Sequence, residues 1–268
     1  MNKPNHPDDP PSRISPGANP RFSRSLEYAF ALLECFDEYE PARHIADLAE
    51  LLGVSRSTTH RYAQTLIALD YLEQDSKRRY LLSPRAADPG FHAVKTLRAE
   101  TPMAREVLEQ LRGETGLTVS MATISGTHAL YTERLHAHGP DQYAADLDHG
   151  VGAHVPLYCT AIGKALLASV SQTEQKALVS ILTLDPDGPN MVQSKSELVE
   201  QLNEIRSLGI ATSDEEEGHG VLSIATHVPQ PGRSRPLAIA ITAPAYQHTM
   251  QTLTDNYSLA LMRAAQRI

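Results

Sequence analysis

Tryptophan is absent from this 268-residue chain, aromatic residues make up only 5% of it, and there are just two cysteines, Cys35 and Cys159. Two cysteines exclude a disulfide scaffold and any all-cysteine zinc site, so both read as buried, reduced thiols in helix-like apolar surroundings. A core poor in rings must be built from Leu, Ile, Val and Ala, and 41% hydrophobic residues suffice for that. No run approaches the roughly 20 apolar residues of a membrane span, so no membrane partner is expected. The opening MNKPNHPDDPPSRISPGANP has no apolar signal-peptide core and reads as a solvated, disordered tail over residues 1–20. These absences together point to a reducing cytoplasm. Positive charge is also short: 24 Lys+Arg face 32 Asp+Glu, a net −8. That average argues at first sight against a nucleic-acid partner, although binding is local.

What the chain does have is periodicity. From Ser25, read as the N-cap, the segment SLEYAFALLECFDE places Leu26, Ala29, Phe30, Leu33 and Phe36 on one helical face. A second helix follows with Ile45, Leu48, Ala49 and Leu52 inward and Gly53 as its stop. Ser55 caps a third, SRSTTHRYAQTLIALD, whose inner positions are Tyr62, Leu66 and Leu69. Two β-prone runs, Tyr71–Glu73 and Tyr80–Leu82, then flank the polar segment Gln74–Arg79 as in a hairpin, and Pro84 closes the unit. A connecting helix, interrupted near Pro102, spans Ala86–Arg112. Beyond Gly116, strands are expected at Leu117–Ile124, Ala129–Leu135, Ile210–Ser213, Val221–Val228 and Leu237–Thr242. Helices are expected from Thr160, at Gln172–Leu182, at Lys195–Leu208 and through most of Gln247–Ile268. Mixed strands framed by helices give an α+β second domain, with the boundary near residues 85–100.

Two helices joined by the tight turn Gly53-Val54-Ser55 have the geometry of a helix-turn-helix, whose second helix enters the major groove. The third helix starts with Ser55, Arg56, Ser57, Thr58, Thr59, His60 and Arg61, hydroxyls and cations suited to phosphates and to guanine edges. Lys77, Arg78 and Arg79 at the hairpin tip form a wing against the backbone. Between Leu51 and Arg85 six basic residues face three acidic ones, so the region is locally positive. Arg21 and Arg24 add possible phosphate contacts.

The second domain offers a pocket rather than obvious chemistry. Gly163-Lys164 fails as a P-loop, since Tyr158 stands where the first Gly belongs and Ala165 where Ser/Thr belongs. What remains is a strand-to-helix transition whose free N–H groups favour an anion such as a carboxylate. The acidic run Asp214–Glu217 reads as a solvated loop, with Gly218 and Gly220 turning the chain back. His136 and His138 read as exposed loop histidines. Neither a metal nor another cofactor is expected, and no base–nucleophile pair stands at readable spacing. The alternative is a ligand-processing enzyme domain, with Lys164 or His154 as its reactive group, fused to a DNA-binding domain.

From about Arg24 to its end the chain resembles the IclR family of bacterial transcriptional regulators. The resemblance rests on Ser25–Ala29, Leu33–Phe36, Ile45–Ala49, Gly53–Arg61, Leu69–Leu72 and Tyr80–Pro84. It continues through Pro156-Leu157, Thr160–Ala168, Ser213–Glu216 and Ser223–Ala225. It implies a winged helix-turn-helix at 21–85, a linker helix at 86–112 and a GAF/PAS-like effector-binding domain at 113–268. It also implies no catalysis, double-stranded operator DNA as partner, a small organic or aromatic acid as effector, and a homodimer or dimer of dimers. Carried over by motif, Arg24, Ser55, Arg56, Ser57, Thr59, His60, Arg61, Lys77, Arg78 and Arg79 face DNA. Leu147, Tyr158, Thr160, Ala161, Ile162, Ser213, Ser223, Ala240 and Thr242 line the effector pocket. Ser213 stands where relatives often carry Asp, Ser223 where many carry Cys, and Ala240 and Thr242 where many carry Ser. Fewer polar groups favour an aromatic acid, on which Tyr158 could stack.

Overall fold

A computed structural model describes residues 22–37, 39–137, 149–185, 190–216, 218–229 and 235–268. The expected tail at 1–20, Arg21, His138 and Leu147 lie outside those residues. The chain divides into two units, Met1–Ala93 and Val94–Ile268.

The first unit runs α1 (Arg24–Leu33), β1 (Ala42–Arg43), α2 (Ile45–Leu52), α3 (Arg56–Ala68), β2 (Leu72–Gln74) and β3 (Tyr80–Leu82). Its strands lie in the order β1-β3-β2, all antiparallel, so the expected hairpin gains a third strand too short to show in the sequence. At the start of α2 the Asp47 carboxylate reaches back to accept the His44 backbone N–H at 3.2 Å. Gly53 stops the helix in the left-handed region at φ 63°. The small core comprises Leu32, Leu48, Leu52, Ala63, Leu66, Leu72 and Tyr80.

Two inner faces differ from expectation. Helix α1 is capped at Ser23, not Ser25, and buries Leu32, whereas Leu26 and Phe30 are 61% and 64% exposed. The helix carries apolar residues on more than one side; the side turned inward holds Leu32 and, four residues earlier, Tyr28, which stacks on Tyr62 at 6.0 Å. In α3 the buried positions are Thr59, Ala63 and Leu66, while Leu69 falls at the C-cap and is 54% exposed.

The connecting stretch is two helices, α4 (Asp88–Ala99) and α5 (Ala104–Thr115). Helix α5 contributes Ala104, Val107, Leu108 and Leu111 to the second unit's core. That unit continues with β4 (Thr118–Ser125), β5 (His128–Leu135), β6 (His154–Pro156), α6 (Ala161–Ser169), α7 (Gln172–Ile181) and α8 (Lys195–Leu208). It ends with β7 (Ala211–Asp214), β8 (Val221–His227), β9 (Leu237–Pro244) and α9 (Met250–Ala265). The six strands form one antiparallel sheet in the order β6-β5-β4-β9-β8-β7. The expected α+β architecture is what the chain adopts.

Strand pleating sorts the two faces by size. In β9, Ile239 and Ile241 pack with Val119, Met121, Leu222 and Ile224 against α5 and α9. Ala238 and Ala240 turn the other way and join Ala122, Ala211 and Ala225 beneath α6. Small side chains let a helix approach the sheet closely, and α6 does so: Ala161 to Ala168 are all buried. A helix buried all round needs satisfied ends, and Thr160 caps it by accepting the Gly163 N–H at 3.0 Å.

Two residues of α6 depend on that burial. A Cβ on Gly163 would lie 2.6 Å from the Cα and carbonyl oxygen of Leu157, so only glycine fits. Lys164, 2% exposed, pairs through Nζ with Glu216 Oε1 at 2.7 Å and reaches Gln201 Oε1 at 3.3 Å. The acidic run is therefore not a uniformly solvated loop, because burying Lys164 requires an anion and Glu216 turns inward to supply it. Glu217 lies outside the described residues. Burial pushes the Glu216 carboxyl above its usual value of 4.5, partly offset by the Lys164 charge.

Gly163→Ala is expected to cost about 1–3 kcal/mol by overpacking, read as a lower denaturation midpoint. Lys164→Met strands a buried carboxylate and should cost about 3–5 kcal/mol by the same measurement. Because the folded-state pKa of Glu216 is raised, its contribution is full below about 4.5 and falls away as pH rises through the folded value. The wild type should therefore lose stability relative to Glu216→Gln over that window, measured by denaturation at stepped pH.

Candidate functional site

The first turns of α3 are held from behind and open in front. Ser55 accepts the Thr58 N–H at 3.2 Å, and its Oγ lies 2.9 Å from the hydroxyls of both Ser57 and Thr58. Ser55, Arg56, Ser57, His60 and Arg61 are exposed. Arg61 lies 5.5 Å over the ring of Tyr62, which the Tyr28 stack fixes in turn. Thr59 differs from the expectation: it is fully buried and its hydroxyl donates to Ser55 O at 3.1 Å. Helical spacing puts position 59 on the same side as Ala63 and Leu66, so Thr59 anchors the helix instead of facing solvent. Arg24 is exposed at the start of α1.

Asp75 organises the hairpin tip. Its Oδ1 accepts the backbone N–H groups of Lys77 at 2.9 Å and Arg79 at 2.8 Å, and its Oδ2 pairs with the Arg79 guanidinium at 2.8 Å. The Arg79 backbone bond, above all, holds the Asp75 carboxyl below its ordinary value. Arg79 is thus bound into the turn, while Lys77 and Arg78 are exposed at its apex, Arg78 in the left-handed region at φ 61°.

In the second unit the expected pocket residues fall into two groups. Thr242, Ser223 and Ser213 stand in cross-strand register over β9, β8 and β7, and Thr118 on β4, not among the expected residues, extends them into a row of buried hydroxyls on the α6 face. Ser213 Oγ donates to Cys159 O at 3.0 Å, tying the end of this row to the segment before α6. Ala240 lies one pleat along, and Ala161 and Ile162 are buried in the first turn of α6. Thr160 spends its hydroxyl on the cap and on Pro156 O at 2.7 Å. Tyr158 is a core residue whose hydroxyl donates to Asp185 O at 3.2 Å and accepts its N–H at 3.1 Å.

Besides Thr118, sequence reasoning missed three residues on β4 and β5. Ser120 and Arg134 are directly paired, buried, and on the same face as the hydroxyl row. Glu133, the preceding residue on β5, points to the opposite face. There it bonds the Arg98 guanidinium, including Nη2 at 2.7 Å, and Arg105 Nη1 at 3.3 Å. Adjacent opposite charges inside the run Leu130–Leu135 were the available signal, since a buried strand seldom carries them without partners. The groups named for an enzyme are engaged elsewhere: Lys164 in its ion pair, and His154 on β6 at 3.3 Å from Ser125 Oγ. Burial lowers the His154 pKa, and the neighbouring His128 lowers it further. Cys35 donates to Ala31 O, and burial raises its thiol to about 11. Among the described residues no helix is long and apolar enough to cross a membrane, and no group of three metal-binding side chains converges.

Residues 97–268 match the C-terminal domain of bacterial IclR transcriptional regulators, and residues 25–76 match the IclR helix-turn-helix domain. The HTH-type transcriptional regulator XynR of Escherichia coli (strain K12) is 28% identical over 206 residues, covering 76% of this chain and 80% of that protein. The crystal structure of an IclR family transcriptional regulator from Brucella abortus has the same fold, with TM-score 0.79 and 20% identity over 96% of both chains. So does an IclR homologue from Microbacterium hydrocarbonoxydans complexed with 4-hydroxybenzoate, with TM-score 0.70 and 20% identity over 90% of this chain and 95% of that one. The helix-turn-helix head and the sheet-and-helix second unit, each matched over most of its length, make this chain a member of the IclR family of bacterial transcriptional regulators.

Proposed function

We propose that the protein is a ligand-responsive regulator of a catabolic operon, acting in the cytoplasm without catalysis. It binds double-stranded operator DNA through its head and a small organic or aromatic acid through its second unit. The observation that carries this reading is the start of α3. Arg56, Ser57, His60 and Arg61 face solvent there while Thr59, Ala63 and Leu66 hold the helix from behind. Lys77 and Arg78 supply the wing's phosphate contacts. Association as a homodimer or dimer of dimers is supported by Leu26 and Phe30, large apolar side chains left exposed on one side of α1. The sensing role is supported by the row of hydroxyls beneath α6 and by a structural neighbour that holds 4-hydroxybenzoate. Effector binding changes operator affinity only through differential affinity for two states of the assembly.

Arg56→Ala is expected to weaken specific operator binding by about 1–3 kcal/mol if the guanidinium reads a base. Lys77→Ala or Arg78→Ala should weaken specific and non-specific binding alike and reduce the salt slope by about one unit for each phosphate no longer neutralised. Equilibrium titrations at several salt concentrations separate the two, and unchanged affinity in all three variants rules out this docking mode. Leu26→Asp with Phe30→Asp should shift the protein towards monomer by light scattering without unfolding the head.

A further inference from the structure

Helix α3 presents two opposed stripes. Thr59, Ala63 and Leu66 are buried in the head. At about 100° per residue, the positions pointing most directly away from them are Ser57, Arg61, Gln64 and Ala68. All four are exposed. The helix carries neither Asp nor Glu, so no carboxylate on it repels a phosphate backbone.

The four differ in what they have left to offer. The Ser57 hydroxyl lies 2.9 Å from Ser55 Oγ, the Arg61 guanidinium packs over the Tyr62 ring at 5.5 Å, and Ala68 supplies only a methyl group. Gln64 makes no hydrogen bond among the described residues. Its amide carries no charge, so it gains little from a phosphate. What it carries is a donor and an acceptor side by side. That pattern complements adenine in the major groove, where N7 accepts and the N6 amino group donates. Arg56 and Arg61 suit phosphate or guanine instead. Gln64 stands three residues beyond Arg61, about 4.5 Å further along the axis, against about 3.4 Å per base-pair step. A helix lying in the groove therefore brings its amide to a neighbouring base pair.

We propose that Gln64 is a specificity-determining residue that reads an adenine of the operator, its Nε2 donating to N7 and its Oε1 accepting from N6. The adenine lies about one base-pair step from the pair that Arg61 reaches. This rests on the reading of the head as an operator-binding unit, and it places sequence readout one turn beyond the basic start of α3.

The test uses the full chain and a random-sequence duplex library, from which the protein itself selects the DNA it binds. The wild type should enrich a motif with one fixed A·T pair that Gln64→Ala no longer fixes, the rest of the motif being kept. On the wild-type motif, Gln64→Ala should weaken binding roughly five- to hundredfold. Its salt slope should stay that of the wild type, because an amide neutralises no phosphate, in contrast to Lys77→Ala and Arg78→Ala. Replacing the fixed adenine with 7-deazaadenine removes the N7 acceptor. That duplex should bind the wild type several-fold more weakly and leave the already weakened Gln64→Ala unaffected, a coupling that a merely structural glutamine would not show. Alanine is a strong helix former at an exposed position, so the melting temperature of Gln64→Ala should be unchanged or raised. Identical motifs for the two proteins overturn the proposal, as does an equal loss for both on the 7-deazaadenine duplex, and either leaves operator binding standing. A wild type that enriches no sequence sinks the operator-binding reading as well.

Discussion

The close seating of α6 on the small-residue face of the sheet is the constraint on which the second unit depends. A helix buried on all sides cannot place large groups towards a sheet it nearly touches. The strands beneath it accordingly carry Ala122, Ala211, Ala225, Ala238 and Ala240, while their other face carries Ile, Val, Leu and Met. The same closeness requires Gly163 against Leu157 and forces the one charged residue of the helix, Lys164, to find Glu216.

That seating also shapes the candidate pocket. Where alanine gives way to hydroxyl-bearing residues, the face stays narrow in side-chain volume but gains donors and acceptors. Ser213 is fixed to Cys159, and through it the edge of the sheet is fixed to the segment that starts α6. On β5 the chain alternates between Arg134 on this face and Glu133 on the other, where Arg98 and Arg105 clamp it. A single strand thus carries a buried cation on one side and a tie to α4 and α5 on the other.

The opening deficit of positive charge resolves when it is divided. From residue 91 to the end there are 13 basic and 19 acidic residues, whereas residues 21–90 carry 9 and 11. Most of the acidic excess therefore belongs to the second unit, and the acids of the first lie mainly before α3. A head with so few cations favours weak non-specific binding and steep salt dependence, with affinity gained by several heads acting together.

Sequence alone determined the order and type of almost every element. It also placed the helix-turn-helix and the basic hairpin, because periodicity, caps and turns are local properties, whereas Ser213, Ser223 and Thr242 were named only through the family resemblance. Glu216 and Thr59 were misjudged for a shared reason. A loop carboxylate and a helix-start hydroxyl look solvated until the element packed against them is known. Leu26 and Phe30 show the converse, since an amphipathic pattern does not state which apolar stripe meets the core and which stays free. The pairing of Ser120 with Arg134, the closure of Lys164 on Glu216 and the clamp at Glu133 were decided only by tertiary structure. Strand register and helix packing join residues tens of positions apart, and no local pattern encodes those distances.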